Sequence, residues 1–101
     1  MDIDQITAAI TDRTAAVIVE PIQGEGGVRP IPAATAHAIS DACSATQTLL
    51  IADEVQCGLG RTGRPFYSST LGLTPDLMSL GKALGGGIPI GAALLLSLIH
   101  I

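Results

Sequence analysis

The feature that most limits what this chain can fold into is a set of three short apolar runs. They are Ala15-Ala16-Val17-Ile18-Val19, closed by Glu20-Pro21; Thr48-Leu49-Leu50-Ile51-Ala52, closed by Asp53-Glu54; and the stretch Asp76 to Leu80, carrying Leu77, Met78 and Leu80 and closed by Gly81-Lys82. Continuous apolar runs of this length, rich in β-branched residues in the first case, are the pattern of strands buried on both faces of a parallel sheet. Pro21 stops the first of them because it cannot donate to the ladder.

Between the strands the apolar spacing turns helical. Ile6 and Ile10, with alanines between them, predict a short helix that Asp4 caps and Thr11-Asp12-Arg13-Thr14 ends. Residues from Pro32 to about Gln47 predict a second helix, with proline near its start and Ala36, Ile39, Cys43 and Thr46 along one face. The order helix, strand, helix, strand, loop, strand is that of an α/β fold with parallel pairing and flanking helices. Two glycine-punctuated stretches read as loops beyond the first two strands: Ile22 to Pro30, with Glu25 at its centre, and Val55 to Pro65, followed by the aromatics Phe66 and Tyr67. In open α/β sheets that carboxyl edge is where ligands bind.

Composition narrows the function classes. At 101 residues there is room for one domain at most, and 14% charged residues is low against about 25% for a typical soluble domain, as expected of a segment from the interior of a larger protein. A net charge of −4 with the four arginines scattered as Arg13, Arg29, Arg61 and Arg64 argues against a nucleic-acid partner. Cys43 and Cys57 form no CxxC or zinc pattern and read as free thiols of a cytoplasmic protein; the start of the chain lacks the regions of a signal peptide. The uncharged run from Gly85 to the carboxyl end starts with three glycines, contains Pro89 and falls short of the ~20 apolar residues a spanning helix needs, so no membrane role is expected.

The chain has one lysine, Lys82, delivered by the third apolar run into a glycine-rich stretch. An amine in apolar surroundings is partly neutral and can attack a carbonyl, whereas the plain alternative is a helix-start lysine reaching solvent. Three strand ends present Glu20 with Glu25, Asp53 with Gln56, and Lys82. A lysine, an amide and a carboxylate on one sheet edge suit pyridoxal phosphate, whose carbonyl takes the amine and whose ring nitrogen takes a negative partner. Other readings stand beside this one. Leu49 to Glu54 has the form of a nucleotide-binding Walker B strand, although Gly81-Lys82 lacks the upstream glycine and following Ser/Thr of a phosphate cradle. Glu20 reads as structural, Glu25 equally as a solvated loop acid, and Arg61 and Arg64 as surface or subunit-contact residues.

Three stretches, Val19 to Gly27, Ile51 to Gly63 and Pro75 to Ala92, together resemble the class III pyridoxal-phosphate aminotransferases, in particular the acetylornithine/ornithine branch. The resemblance runs from about Ile3 to Ala93, with the motifs in the family's order. It implies that residues 1–93 are part of the large cofactor-binding domain of a fold-type I transferase, with a mostly parallel sheet and flanking helices; 94–101 reads as an atypical apolar tail. It implies a complete enzyme, a cytoplasmic homodimer of arginine biosynthesis, that moves an amino group from acetylornithine, ornithine or a related ω-amino compound to 2-oxoglutarate. By the same resemblance Lys82 is the Schiff-base lysine that also moves the substrate's proton, and Asp53 the partner of the pyridine nitrogen. Gln56 lies near the cofactor's 3′ hydroxyl, and Glu25 is the glutamate that pairs with an arginine to let one pocket take both substrates. The competing expectation is a truncated, non-catalytic piece of such an enzyme.

Overall fold

The structure, a computed structural model, describes residues 2–95. Its first element, helix α1 (Ile3–Ala9), corrects the expected cap: Asp2, not Asp4, closes the amino end. Gln5 decides this. The Asp2 carboxyl accepts the Gln5 N–H at 2.8 Å while the Gln5 side chain accepts the Asp2 N–H at 3.1 Å, a reciprocal pair that Asp4 cannot form from inside the first turn. Strand β1 (Ala16–Val19) follows, then β2 (Ile22–Gln23) and β3 (Arg29–Pro30), helix α2 (Ala33–Thr46), and strand β4 (Leu49–Asp53). The four-residue helix α3 (Tyr67–Thr70), strand β5 (Leu77–Leu80), a 3-10 turn over Lys82–Gly85 and strand β6 (Ala92–Leu95) complete the order.

Among the described residues the main sheet runs β1-β4-β5-β6, with β1, β4 and β5 parallel and β6 antiparallel to β5. The three parallel strands therefore end on one edge, at Glu20, Asp53 and Gly81. Register between β4 and β5 is pinned at their start by Asp76: its N–H donates to the Leu50 carbonyl and its Oδ2 accepts the Leu50 N–H, both at 2.8 Å. A slip of one residue would turn every side chain of β5 to the other face. In the observed register Asp53 lies opposite Ser79.

One face of this sheet is packed. Val17, Val19 and Leu50 meet Ile6 and Ile10 of α1, Ala36, Ile39 and Cys43 of α2, and Leu71 and Leu73 beyond α3. The expected helix face is thus the packed one, except that Thr46 is half-buried and its hydroxyl turns back to the Ala42 carbonyl at 2.8 Å. The other face differs from the expectation of strands covered on both sides. There Ile18 is 65% exposed, Leu49 44% and Leu95 50%. Helices α1 and α2 both contribute to the single packed core, which leaves the opposite apolar face bare among the described residues.

Such a face favours association. The purified 101-residue chain is expected to scatter light as a species well above its 10.2 kDa mass, and Ile18→Lys combined with Leu49→Lys should lower that mass. A monodisperse 10.2 kDa species from the unmodified chain would contradict the packing described above.

Candidate active site

Beyond the carboxyl edge of the parallel strands, three segments enclose a cleft of about 440 Å³, within the range of roughly 300–1,000 Å³ usual for small-molecule sites. Ile22, Gly24 and Val28 form one wall, Gln56, Cys57 and Arg61 another, and Lys82 and Ala83 the third.

The first wall is a hairpin, not the irregular loop expected. β2 and β3 pair antiparallel, Ile22 with Pro30 and Gln23 with Arg29, and the turn closes with the Gly27 and Val28 N–H groups on the Gly24 carbonyl. Glu20 anchors it, its Oε1 accepting the Gly24 N–H at 3.0 Å, so the structural reading of Glu20 holds. Gly24 leaves room for the second wall: a Cβ there would take the space of the Gln56 amide, which would have to swing aside. Glu25 stands exposed at the hairpin tip and does not line the cleft.

The second wall hangs from Glu54, whose importance the sequence reading missed. Its side chain is 1% exposed, and its carboxyl oxygens accept the N–H groups of Ser68 at 2.7 Å and Tyr67 at 3.1 Å. Those are the first donors of α3, which have no partner inside their own helix. Burying a carboxyl group is costly unless it is hydrogen-bonded, and here the two backbone donors offset that cost. The segment between Glu54 and α3 is thereby tied at both ends, which fixes Gln56, Cys57 and Arg61 over the sheet edge. Gly58 permits it, since a Cβ there would lie 2.7 Å from the Glu54 carbonyl oxygen. Arg61, expected at the surface or a subunit contact, is exposed and also lines the cleft.

The third wall carries Lys82, which among the described residues stands exposed at the start of a 3-10 turn and not in the apolar surroundings expected of it. Its φ of 44° places it in the left-handed region, at a cost of about 1 kcal/mol or more for a residue with a Cβ. The 3-10 turn starts at that residue, and Leu84 N–H closes on the Gly81 carbonyl at 3.0 Å. Val28, which is β-branched, is held at φ 54° on the facing hairpin. Strain of this kind gathers where a backbone is shaped for something other than its own stability.

Asp53 stands at the end of β4, half-buried and outside the lining of the cleft. Its Oδ1 accepts the Val55 N–H at 3.1 Å and the Ser79 hydroxyl at 3.0 Å. The Val55 side chain in turn packs at Gly81, the residue before Lys82. The structure therefore brings Gln56 and Lys82 into one cleft, places Asp53 on the adjoining strand end, and leaves Glu25 apart.

Cys57 lines the cleft yet is buried; burial, and then the neighbouring Glu54 carboxyl, push its thiol up to about 11. Burial, and then Asp76, raise Cys43 as well. A raised thiol pKa favours the neutral, unreactive form below that pH. Thiol reagent at pH ~8 should therefore label both cysteines slowly in the folded protein and promptly in denaturant. Prompt labelling of Cys57 in the native state would contradict its placement.

The fold is shared with known proteins. The family model for aminotransferase class-III matches residues 1–99. Acetylornithine aminotransferase of Rhodobacter capsulatus is 52% identical over 93 residues, covering 92% of this chain and 24% of that protein. The crystal structure of N-acetylornithine aminotransferase from Stenotrophomonas maltophilia superimposes with a TM-score of 0.88 at 44% identity, over 93% of this chain and 26% of that one. Ornithine aminotransferase from Toxoplasma gondii, described with partial occupancy of PLP at its active site, matches with a TM-score of 0.83 at 38% identity, over 93% of this chain and 22% of that one. The chain thus spans about a quarter of the length of these relatives. With a family match over nearly its whole length, and a lysine set at the carboxyl edge of a mostly parallel sheet, the chain belongs to the class-III aminotransferases.

Proposed function

We propose that the complete protein carrying this segment is a pyridoxal-phosphate-dependent transaminase. It takes an amino group from acetylornithine, ornithine or a related ω-amino compound and passes it to 2-oxoglutarate, as a cytoplasmic homodimer in arginine biosynthesis. The observation that carries this reading is the setting of Lys82: the chain's one lysine, at the end of β5, in strained backbone, on a cleft it shares with Gln56. The relatives supply the substrate class. Residues 1–93 are read as part of the cofactor-binding domain and 94–101 as an apolar tail, except that Leu94 and Leu95 extend β6 of the main sheet; 96–101 fall outside the described residues.

The residues present fit the cofactor. The donor set offers a primary amine, an amide, and a carboxyl group whose hydrogen bonds among the described residues both fall on Oδ1, leaving Oδ2 for a ring nitrogen. Gly24 keeps the hairpin close without displacing Gln56. When bound, pyridoxal phosphate supplies an aldehyde carbon that takes up amines and a protonated ring that withdraws electrons. Lys82 Nζ would hold the cofactor through that aldehyde carbon, with water leaving, and as a free amine would carry a proton to and from the substrate's α-carbon. Asp53 Oδ2 would accept a hydrogen bond from the ring nitrogen and hold its proton in place. Gln56 would donate its amide N–H toward the 3′ hydroxyl. Glu25, at the hairpin tip, is reserved for pairing with an arginine that selects between the two substrates. By itself the 101-residue chain, with a cleft walled on three sides, is read as non-catalytic.

Borohydride reduction of the cofactor-loaded complete protein, followed by peptide mapping, should place the label on Lys82. Label on another lysine, with Lys82 unmodified, would overturn the assignment. Asp53→Ala in the same protein should lower turnover by about a hundredfold or more while changing cofactor retention far less, since the covalent bond remains. Near-normal turnover of that variant would reduce Asp53 to a structural role.

A further inference from the structure

Ser79 is out of character with its strand. β5 is otherwise Leu77, Met78 and Leu80, and Ser79 lies on the sheet face opposite the packed core, half-buried beside Asp53. A hydroxyl among apolar neighbours costs stability unless it is bonded, and this one donates to Asp53 Oδ1 at 3.0 Å. The Val55 N–H reaches the same oxygen at 3.1 Å. Two donors from two directions therefore converge on one carboxyl oxygen.

The torsion that turns an aspartate carboxyl is broad and nearly two-fold, so a single local donor leaves the group free to exchange its oxygens. The Val55 N–H lies two residues along the same chain and moves with Asp53. The Ser79 hydroxyl comes from the neighbouring strand, fixed by the β4–β5 register, and sets the plane of the carboxyl against the sheet. We propose that Ser79 is a positioning residue: by occupying Asp53 Oδ1 it makes Oδ2 the oxygen presented to the cofactor's ring nitrogen. This rests on the assignment of Asp53 proposed above. The same strand that delivers Lys82 to the cofactor's aldehyde carbon thereby also orients the group at its ring nitrogen. Ser79 precedes Lys82 by one short step of chain, so both settings depend on one strand position.

The test uses the complete protein loaded with pyridoxal phosphate bearing an isotopically labelled ring nitrogen. Ser79→Thr keeps the hydroxyl, and Ser79→Val matches that threonine in shape with a methyl group in the hydroxyl's place. The NMR shift of the ring nitrogen, followed against pH, reports its protonation independently of turnover. In the Ser79→Val protein the ring nitrogen is expected to lose its proton at lower pH than in the parent. Its kcat should fall by about tenfold with KM little changed, as for the loss of one orienting hydrogen bond. Ser79→Thr should restore both readouts. If Ser79→Val destabilises the fold, the comparison is made on Ser79→Ala, with the urea midpoint checking that the variant is native. A parent-like shift and pH profile in a folded variant lacking the hydroxyl would overturn the proposal. Asp53→Asn separates the two levels. If it leaves the ring-nitrogen signal unchanged, the Asp53 assignment itself fails; if it moves the signal and Ser79→Val does not, only the role of Ser79 fails.

Discussion

The site depends first on the parallel pairing of β4 with β5. Asp76 pins that pairing by meeting both backbone groups of Leu50, one through its own N–H and one through its carboxyl. Everything at the far end of the two strands inherits the register. Asp53 comes opposite Ser79, the Glu54 backbone N–H donates to the Ser79 carbonyl at 3.0 Å, and the chain leaves β5 through Gly81 into the strained backbone of Lys82. One side chain at the start of β5 thus governs the geometry of three at its end.

Alternation along β4 divides labour between two adjacent acids. Asp53 faces the bare side of the sheet and bonds across to Ser79, whereas Glu54 turns into the interior and takes the first backbone donors of α3. The two carboxyl groups are chemically alike and differ only in what their neighbours demand. Glu54 holds the loop that carries Gln56 and Arg61, and Asp53 is left to present an oxygen. Exchanging either function between them would need a change of face, which the strand forbids.

Much of this was legible in the sequence, for physical reasons. The apolar runs gave β1, β4 and β5 because burial demands continuous hydrophobicity, and the spacing of Ala36, Ile39 and Cys43 gave the packed face of α2. Lys82 and Gln56 were picked out by their placement after strands, and they do share a cleft. What was not legible depends on contacts distant in the chain. α3 has four residues of weak helix preference and exists where Glu54 receives its donors. The β2–β3 hairpin has strands of two residues, too short for an alternation to show. β6 is hidden in an apolar stretch after three glycines, where Leu94 and Leu95 pair with Met78 and Leu77. The Ser79–Asp53 bond joins residues 26 apart, and nothing local marks it. The cap of α1 was misplaced by two residues because the deciding partner is Gln5.

The site turns on an aspartate oxygen selected by the β4–β5 register, and a crystal structure of the complete protein with pyridoxal phosphate tests this most directly. The ring nitrogen is predicted within hydrogen-bond distance of Asp53 Oδ2, with Oδ1 still held by Ser79 and Val55. A ring nitrogen bonded to any other residue, or to Oδ1 with the Ser79 hydroxyl turned away, would contradict it.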